Sequence, residues 1–311
     1  MPHILDVARR LSNDFDGDLR FISVNAAKAR HHELVESSLG APKVRLVDET
    51  RQISGSFKYR GAVLGVKNNR QGVVAFGSGN FPIAVGHAAA GLGVSALLVM
   101  PDDAPARKQQ LARETGSETV LAPRGDFVRI AREAAVSRHW TALHPFHDAS
   151  MLLGSCSLGF EMAEAIFEFG SPDDAVVLAC GGGGLAAGVA IGLRLRGLPN
   201  PINVVEPQTH ARLAAARATG HPVAINPTGQ TICDALQTTK IGNLAFLVME
   251  SCKVTLTSAS DNGVLTAQSL TAEKCGVFPE ASGALALAAL LEARIPAITA
   301  QAWVVVCGGN I

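Results

Sequence analysis

The sequence predicts an α/β fold with parallel sheets flanked by helices, and two observations carry that expectation. Short apolar runs without polar alternation (GVVAF, VSALLVM, SETVLA, DAVVLAC, INVVEP and AWVVVCGG) have the composition of strands buried on both faces. Longer Ala- and Leu-rich segments separate them, and strand–helix alternation over most of a chain implies parallel strands with crossover helices. With 311 residues the chain is long enough for two lobes rather than one.

In chain order, GVVAF leads into PIAVGHAAAGLG, VSALLVM into PARKQQLARETG, and SETVLA into DFVRIAREAAVSR. DAVVLAC then leads into LAAGVAIGLRLRG, INVVEP into THARLAAARATG, and ASGALALAALLEAR precedes AWVVVCGG. Turns are marked by PDDAP and GLPNP, and there is no repeat, low-complexity tract or long linker.

Lys plus Arg and Asp plus Glu are each 27, a formal net charge of zero with no basic run, which argues against nucleic acid as a partner. The uncharged stretch 175–193 is nearly long enough to span a bilayer, but four consecutive glycines interrupt it; a buried strand, turn and helix fit it better, so no membrane is expected. The start MPHILDVARR lacks the pattern of a signal peptide. Six cysteines without a C-x-x-C pair read as reduced thiols in a cytoplasmic protein.

Four stretches are candidates for chemistry. SGSFKYRGA (54–62) places Lys58 at a helix start. Lys58 and Arg60 are either solvated charges after a Ser54 or Ser56 cap, or Lys58 is an amine poised to form an imine with a carbonyl cofactor. GGGGL follows a strand and opens a helix, where free N–H groups and the macrodipole favour a phosphate. Gly181, Gly183 and Ala186 also fit G-x-G-x-x-A, with Glu206 about 20 residues on, so a nicotinamide enzyme is an alternative. Ser78, Gly79 and Asn80 form a second strand–turn–helix, and Glu280 precedes Ser282 and Gly283 at a third helix start. His87 reads as core. His144 and His147 flank a Pro–Phe pair, and no Ser–His–Asp order or metal-ligand spacing stands out.

Taken together, SGSFKYRGA, GSGN, GGGGL, VVEP, PEASGA and the CGGN of residues 307–310 resemble the fold-type II pyridoxal-phosphate enzymes, in the serine/threonine dehydratase and serine racemase branch. The resemblance runs from about Gln52 to Asn310. It implies a tryptophan synthase beta-like, two-lobed architecture: a small lobe at 53–145 inserted into a large lobe of 1–52 plus 146–311, usually dimeric.

It implies further that Lys58 carries pyridoxal 5'-phosphate beside Phe57, and that Gly181, Gly182, Gly183, Gly184 and Leu185 cradle the phosphate. Asn80 is expected at the ring's 3-oxygen, Glu280 near the ring edge, and Cys307 at the ring nitrogen. Ser78 and the N–H groups around Gly79 are expected to hold the substrate carboxylate, with Ser78 also a candidate proton donor on the second face. Phe81 bulks out that loop, and Ser155, Cys156 and His147 are departures expected to touch the pocket. Arg212 stands where relatives place an acidic cation ligand; no metal is expected, and Arg212 is expected to bond Glu206. With Ile311 last, no regulatory domain is expected.

The implied reaction is β-elimination from a hydroxy amino acid such as threonine, serine or 3-hydroxyaspartate. A racemase or a β-replacement synthase comes second, a nicotinamide oxidoreductase third, and a silent sensor is the non-enzymatic reading.

Overall fold

A computed structural model describes residue 6 and residues 11–34, 43–295 and 301–311. Its helices are α1 (Phe15–Asn25), α2 (Lys58–Lys67), α3 (Asn80–Leu92), α4 (Ala106–Glu114), α5 (Phe127–Arg138), α6 (Ala149–Phe169), α7 (Gly184–Leu195), α8 (Arg212–Thr219), α9 (Asn243–Ser251), α10 (Asp261–Cys275) and α11 (Ala281–Leu291). Its strands are β1 (Arg30–Leu34), β2 (Lys43–Asp48), β3 (Val73–Phe76), β4 (Ala96–Pro101), β5 (Glu118–Ala122), β6 (Thr141–Leu143), β7 (Ala175–Ala179), β8 (Ile202–Pro207), β9 (Thr255–Ala259) and β10 (Gln301–Val306).

They form two sheets. One runs β1-β2-β10-β7-β8-β9 and the other β5-β4-β3-β6. All pairings are parallel except β1 with β2. β1, the sequence RHHEL, is an exposed, charged edge, and such an edge resists pairing with another chain. The smaller sheet and its helices are called the small lobe below, and the larger sheet with its helices the large lobe.

Both faces of each sheet are covered, which explains why its strands carry no polar alternation. In the small sheet Val73, Ala75 and Leu98 pack with α2 and α3, while Val74, Phe76, Leu97 and Val99 pack with α5. In the large sheet Val176, Val204 and Trp303 face α6 and α7, while Val177, Val205 and Val304 face α11. The indole of Trp303, fully buried, donates from Nε1 to Asp174 Oδ2 at 2.9 Å. α6 and α7 approach closely because small residues meet: a Cβ on Gly188 or Gly192 would run into the α6 backbone.

One buried ionic group ties the start of α2 to the large lobe. Arg60 is 0% exposed, and its guanidinium bonds Glu49 (Nε to Oε2 and Nη2 to Oε1, both 2.8 Å), Glu161 (2.8 and 2.9 Å) and the Ala27 carbonyl (3.2 Å). Burial works against its charge, but the two carboxylates overcome this and hold it more firmly cationic than a free arginine. Arg60 is therefore not a solvated charge beside a helix cap. Deleting one member of such a group strands the others without a partner, at a cost of about 3–5 kcal/mol. Arg60→Ala should lower the urea-unfolding free energy by about that much; a loss under about 1 kcal/mol would show that water replaces the guanidinium.

Candidate active site

The carboxyl ends of β3, β7 and β10 feed three turns (77–79, 180–183 and 307–309) into one cavity of about 320 Å³, the place where parallel α/β sheets bind ligands. Its wall includes Phe57, Lys58, Ser78, Gly79, Asn80, Phe81, Glu280 and Cys307. Gly181, Gly182, Gly183, Gly184 and Leu185 complete it. Residues far apart in sequence are thus brought to one place.

Lys58 is the first residue of α2. Its Nζ donates to the Pro145 carbonyl at 2.9 Å and lies 4.9 Å from the Phe57 ring centroid. Burial of the ammonium pulls its pKa down to about 8, against a smaller opposing pull from Cys307. Neither Ser54 nor Ser56 caps α2, contrary to the cap reading; both hydroxyls are buried without a partner among the described residues. The backbone there is used instead as a strand: Ser56 bridges Gly308, and Phe57 N donates to Cys307 O at 3.0 Å.

The glycine turn is shaped for close approach. Gly183 has φ +87°, a conformation L side chains rarely adopt, and a Cβ on Gly182 would strike the Phe146 ring. α7 begins there with no side-chain cap, so its first N–H groups remain for an anion. α3, which lines the same cavity, also starts uncapped, after Ser78 and Gly79. A low-pKa amine, an uncapped glycine-lined helix start and a cavity between them fit a phosphorylated carbonyl cofactor.

The remaining polar groups are engaged. Asn80 Nδ2 donates to Glu280 Oε1 at 2.5 Å, and Asn310 Nδ2 donates to Asn80 Oδ1 at 2.9 Å. The Cys307 thiol contacts the Ser282 carbonyl at 3.7 Å, and burial, reinforced by Glu280, pushes its pKa up to about 12. It is a neutral thiol at neutral pH. His144 Nδ1 accepts from the amides of Phe146 (3.4 Å) and His147 (3.3 Å), which assigns the ring proton to Nε2. Burial, then His147 and Lys58, lower its pKa to about 4, so the imidazole is neutral.

Three expected pocket residues lie elsewhere. Ser155 is 2% exposed on α6, bonds Met151 O at 3.2 Å and sits against Gly188 of α7, so it packs helices rather than touching substrate. Cys156, one position on, is buried in the same helical core. His147 stacks on His144 at 4.1 Å without lining the cavity. His87 is half-buried, not core.

Conversely, Lys108, Asp234 and His144 line the cavity without having been singled out for it. Lys108 lies in PARKQQLARE, which reads as an exposed helix, and no sequence signal marks it. The HPF tripeptide did mark His144, but no partner in sequence assigned it a role.

A protein family described as pyridoxal-phosphate dependent enzyme matches residues 29–308. The chain belongs to that family. Among these pyridoxal-phosphate enzymes, an L-threo-3-hydroxyaspartate ammonia-lyase of Pseudomonas sp is 31% identical over 270 residues, 85% of this chain and 83% of that one. A serine racemase of Schizosaccharomyces pombe is 28% identical over 85% of this chain and 82% of its own. A solved threonine deaminase of T.th. superimposes with a TM-score of 0.86 at 29% identity, covering 96% of this chain and 98% of its own.

The family's cofactor suits the cavity, which is lined by both an amine, Lys58, and the uncapped glycine turn 181–185. The nicotinamide reading falls on geometry as well. Glu206 is 2% exposed and spent on Arg212 Nε (3.3 Å) and Leu213 N (2.9 Å), leaving nothing for a ribose hydroxyl. Arg212 also donates to the carbonyls of Cys180 (2.8 Å), Thr238 (2.8 Å) and Leu236, tying the glycine turn to the 234–238 wall.

Two outcomes are expected. Gly182→Ala should leave the far-ultraviolet circular dichroism unchanged but weaken pyridoxal-phosphate binding roughly tenfold or more, because Phe146 must shift. Capture of the cofactor by cofactor-free protein, followed by absorbance, should speed up roughly tenfold per pH unit below about 8 and then level off, because the neutral amine is the nucleophile. A profile with no break near 8 would remove Lys58 from the capture step.

Proposed function

We propose that this chain eliminates the β-substituent of a hydroxy amino acid and releases a keto acid and ammonia. The observation that carries the reading is the Lys58 amine, held near pKa 8 at the junction of an anion-binding turn and a second uncapped helix start. Pyridoxal phosphate, when bound, supplies the electron sink for the substrate's Cα electron pair. Lys58 Nζ, freed by the incoming amino acid, takes the Cα proton. The N–H groups at the start of α3 and the Ser78 hydroxyl bind the α-carboxylate. Cys307 stays protonated and would bring no negative charge to a cofactor bound beside it, which would favour loss of the β-group.

Among the candidates, 3-hydroxyaspartate fits best. Once Lys58 holds the cofactor and Lys108 is neutralised by acids, Arg124 is the cation left on the wall among the described residues, paired only with the exposed Asp103 at 2.7 Å. Water screens such an exposed pair, so it yields readily to a substrate carboxylate. The relatives named for L-threo-3-hydroxyaspartate support the same choice. A racemase is the second reading, favoured by Ser78, which lines the cavity in the turn before α3.

We assign the inserted lobe to 53–145, supported by β3 through β6 falling inside it. A homodimer in the cytoplasm is also proposed. Free cysteines at all six positions support a reducing compartment, and the half-exposed rings of Phe167 and Phe169 support association between copies.

The test is keto-acid and ammonia release from both enantiomers of serine, threonine and 3-hydroxyaspartate by the cofactor-loaded protein. Release should be greatest with a 3-hydroxyaspartate isomer, absent in Lys58→Ala, and weakened at least tenfold in kcat/KM by Arg124→Ala for that substrate alone. Inversion at Cα without release would establish the racemase; binding of cofactor with neither outcome would leave a sensor.

A further inference from the structure

Lys108 takes no part in the reading above, yet its surroundings are among the most constrained in the molecule. α4 is largely exposed, but Lys108 turns inward and is 3% exposed. It passes directly beside Gly79, where a Cβ would lie 2.5 Å from Lys108 Cδ, so a side chain at 79 and Lys108 in this position exclude each other. Its ammonium then reaches Asp234 Oδ2 at 2.5 Å and Glu280 Oε2 at 2.8 Å. Lys108 belongs to the small lobe and both acids to the large lobe, so the contact bridges the two along the cavity wall.

The bridge continues beyond Lys108. Glu280 Oε1 accepts from Asn80 Nδ2 at 2.5 Å, Asn80 Oδ1 accepts from Asn310 Nδ2 at 2.9 Å, and Asn310 Nδ2 also donates to Ser54 O at 2.9 Å in the loop before Lys58. Glu280 Oε2 lies within ion-pair distance of Lys108 but off the hydrogen-bond direction, and has no other partner among the described residues. Among those residues Lys108 is the one cation in contact with Glu280.

We infer that Lys108 is a positioning residue for the proposed elimination: it locks the lobes together at the cavity edge and fixes Glu280, and through it Asn80, against the reacting groups. The inference rests on the elimination reading for its effect on turnover, but not for its effect on the site.

The electrostatics give it a signature. The groups facing Glu280 are Lys108 from α4, Asn80 from α3, Asp234 from the 234–236 turn, and the thiols of Cys233 and Cys307. Burial raises the Glu280 pKa, Lys108 and Asn80 oppose the rise, and Asp234 adds to it. Two groups must lose a proton for turnover, Lys58 as the base and Glu280 as the carboxylate that accepts from Asn80, so activity increases as pH rises through both. Removing Lys108 moves this acidic limb to higher pH, whereas removing the Asp234 charge moves it to lower pH. Loosened structure alone would move both variants the same way or neither.

The experiment compares cofactor-loaded wild type, Lys108→Met, Lys108→Arg and Asp234→Asn. Circular dichroism, cofactor affinity, the pH titration of the bound cofactor's absorbance, and kcat and KM across pH are measured for each. Lys108→Met should keep its fold, lose roughly tenfold or more in kcat, and show an acidic limb shifted up by about one pH unit. Lys108→Arg should recover most of the kcat, and Asp234→Asn should shift the limb down. If Lys108→Met fails to fold, the downward shift in Asp234→Asn decides alone. Unchanged limbs in Lys108→Met or Asp234→Asn would overturn the inference. Should wild type bind cofactor but release no keto acid, the elimination reading fails; opposite shifts of the cofactor titration in Lys108→Met and Asp234→Asn would still support the positioning role, and their absence would refute it.

Discussion

Everything at the cavity hangs on where the Lys58 amine is held, and that is decided two residues away by Arg60. Its guanidinium grips Glu49 after β2, Glu161 on α6 and the Ala27 carbonyl before β1, so the first turn of α2 is referenced to three separate parts of the large lobe. A helix start anchored by a buried ionic group cannot drift by a fraction of a turn without breaking several charge-assisted bonds together. The same anchoring lets α2 begin without a cap, because tertiary contacts replace the hydrogen bond that a serine would have given.

The cavity needs this because its parts come from turns with little rigidity of their own. Glycines 181 to 184 allow a phosphate close to the backbone, and that permissiveness must be compensated by surrounding contacts. Arg212 does so from outside, holding the Cys180, Leu236 and Thr238 carbonyls. Residues 307–310 brace the Lys58 side of the cavity instead: Cys307 O accepts from Phe57 N, Gly308 O from Glu280 N, and Gly309 N donates to Gly55 O.

Much of the fold is legible in the sequence because burial on both faces leaves a compositional mark. The six apolar runs all form strands. β1, β6 and β9 escape because they are sheet edges, short or exposed, where hydropathy carries no signal. The 21-residue α6 escapes because its glycines and serines, chosen for close approach to α7, look like loop residues. At the cavity the backbone-built features can be read, since glycines and helix starts are local. Charged side chains are harder to place: Arg60 and Lys108 read as wet surface, and both are buried through partners more than ten residues away, whereas the expected bond between Arg212 and Glu206 is present. Ser155 misleads for the converse reason, because one helix turn decides whether a side chain meets the cavity or the neighbouring helix.

The position of β10 sets an order of assembly during synthesis. The small sheet is drawn from residues 73–143 alone, with strands close together in the chain, so it can close as soon as that stretch leaves the ribosome. The large sheet cannot. Its central strand, paired to β2 on one side and β7 on the other, is residues 301–306, and Asn310 then reaches back to Ser54 and Asn80. Until those residues emerge, the β2 and β7 edges lie open with nothing between them. The small sheet can therefore form while the large one is still open, and the wall around Lys58 closes only when residues 301–310 find their partners.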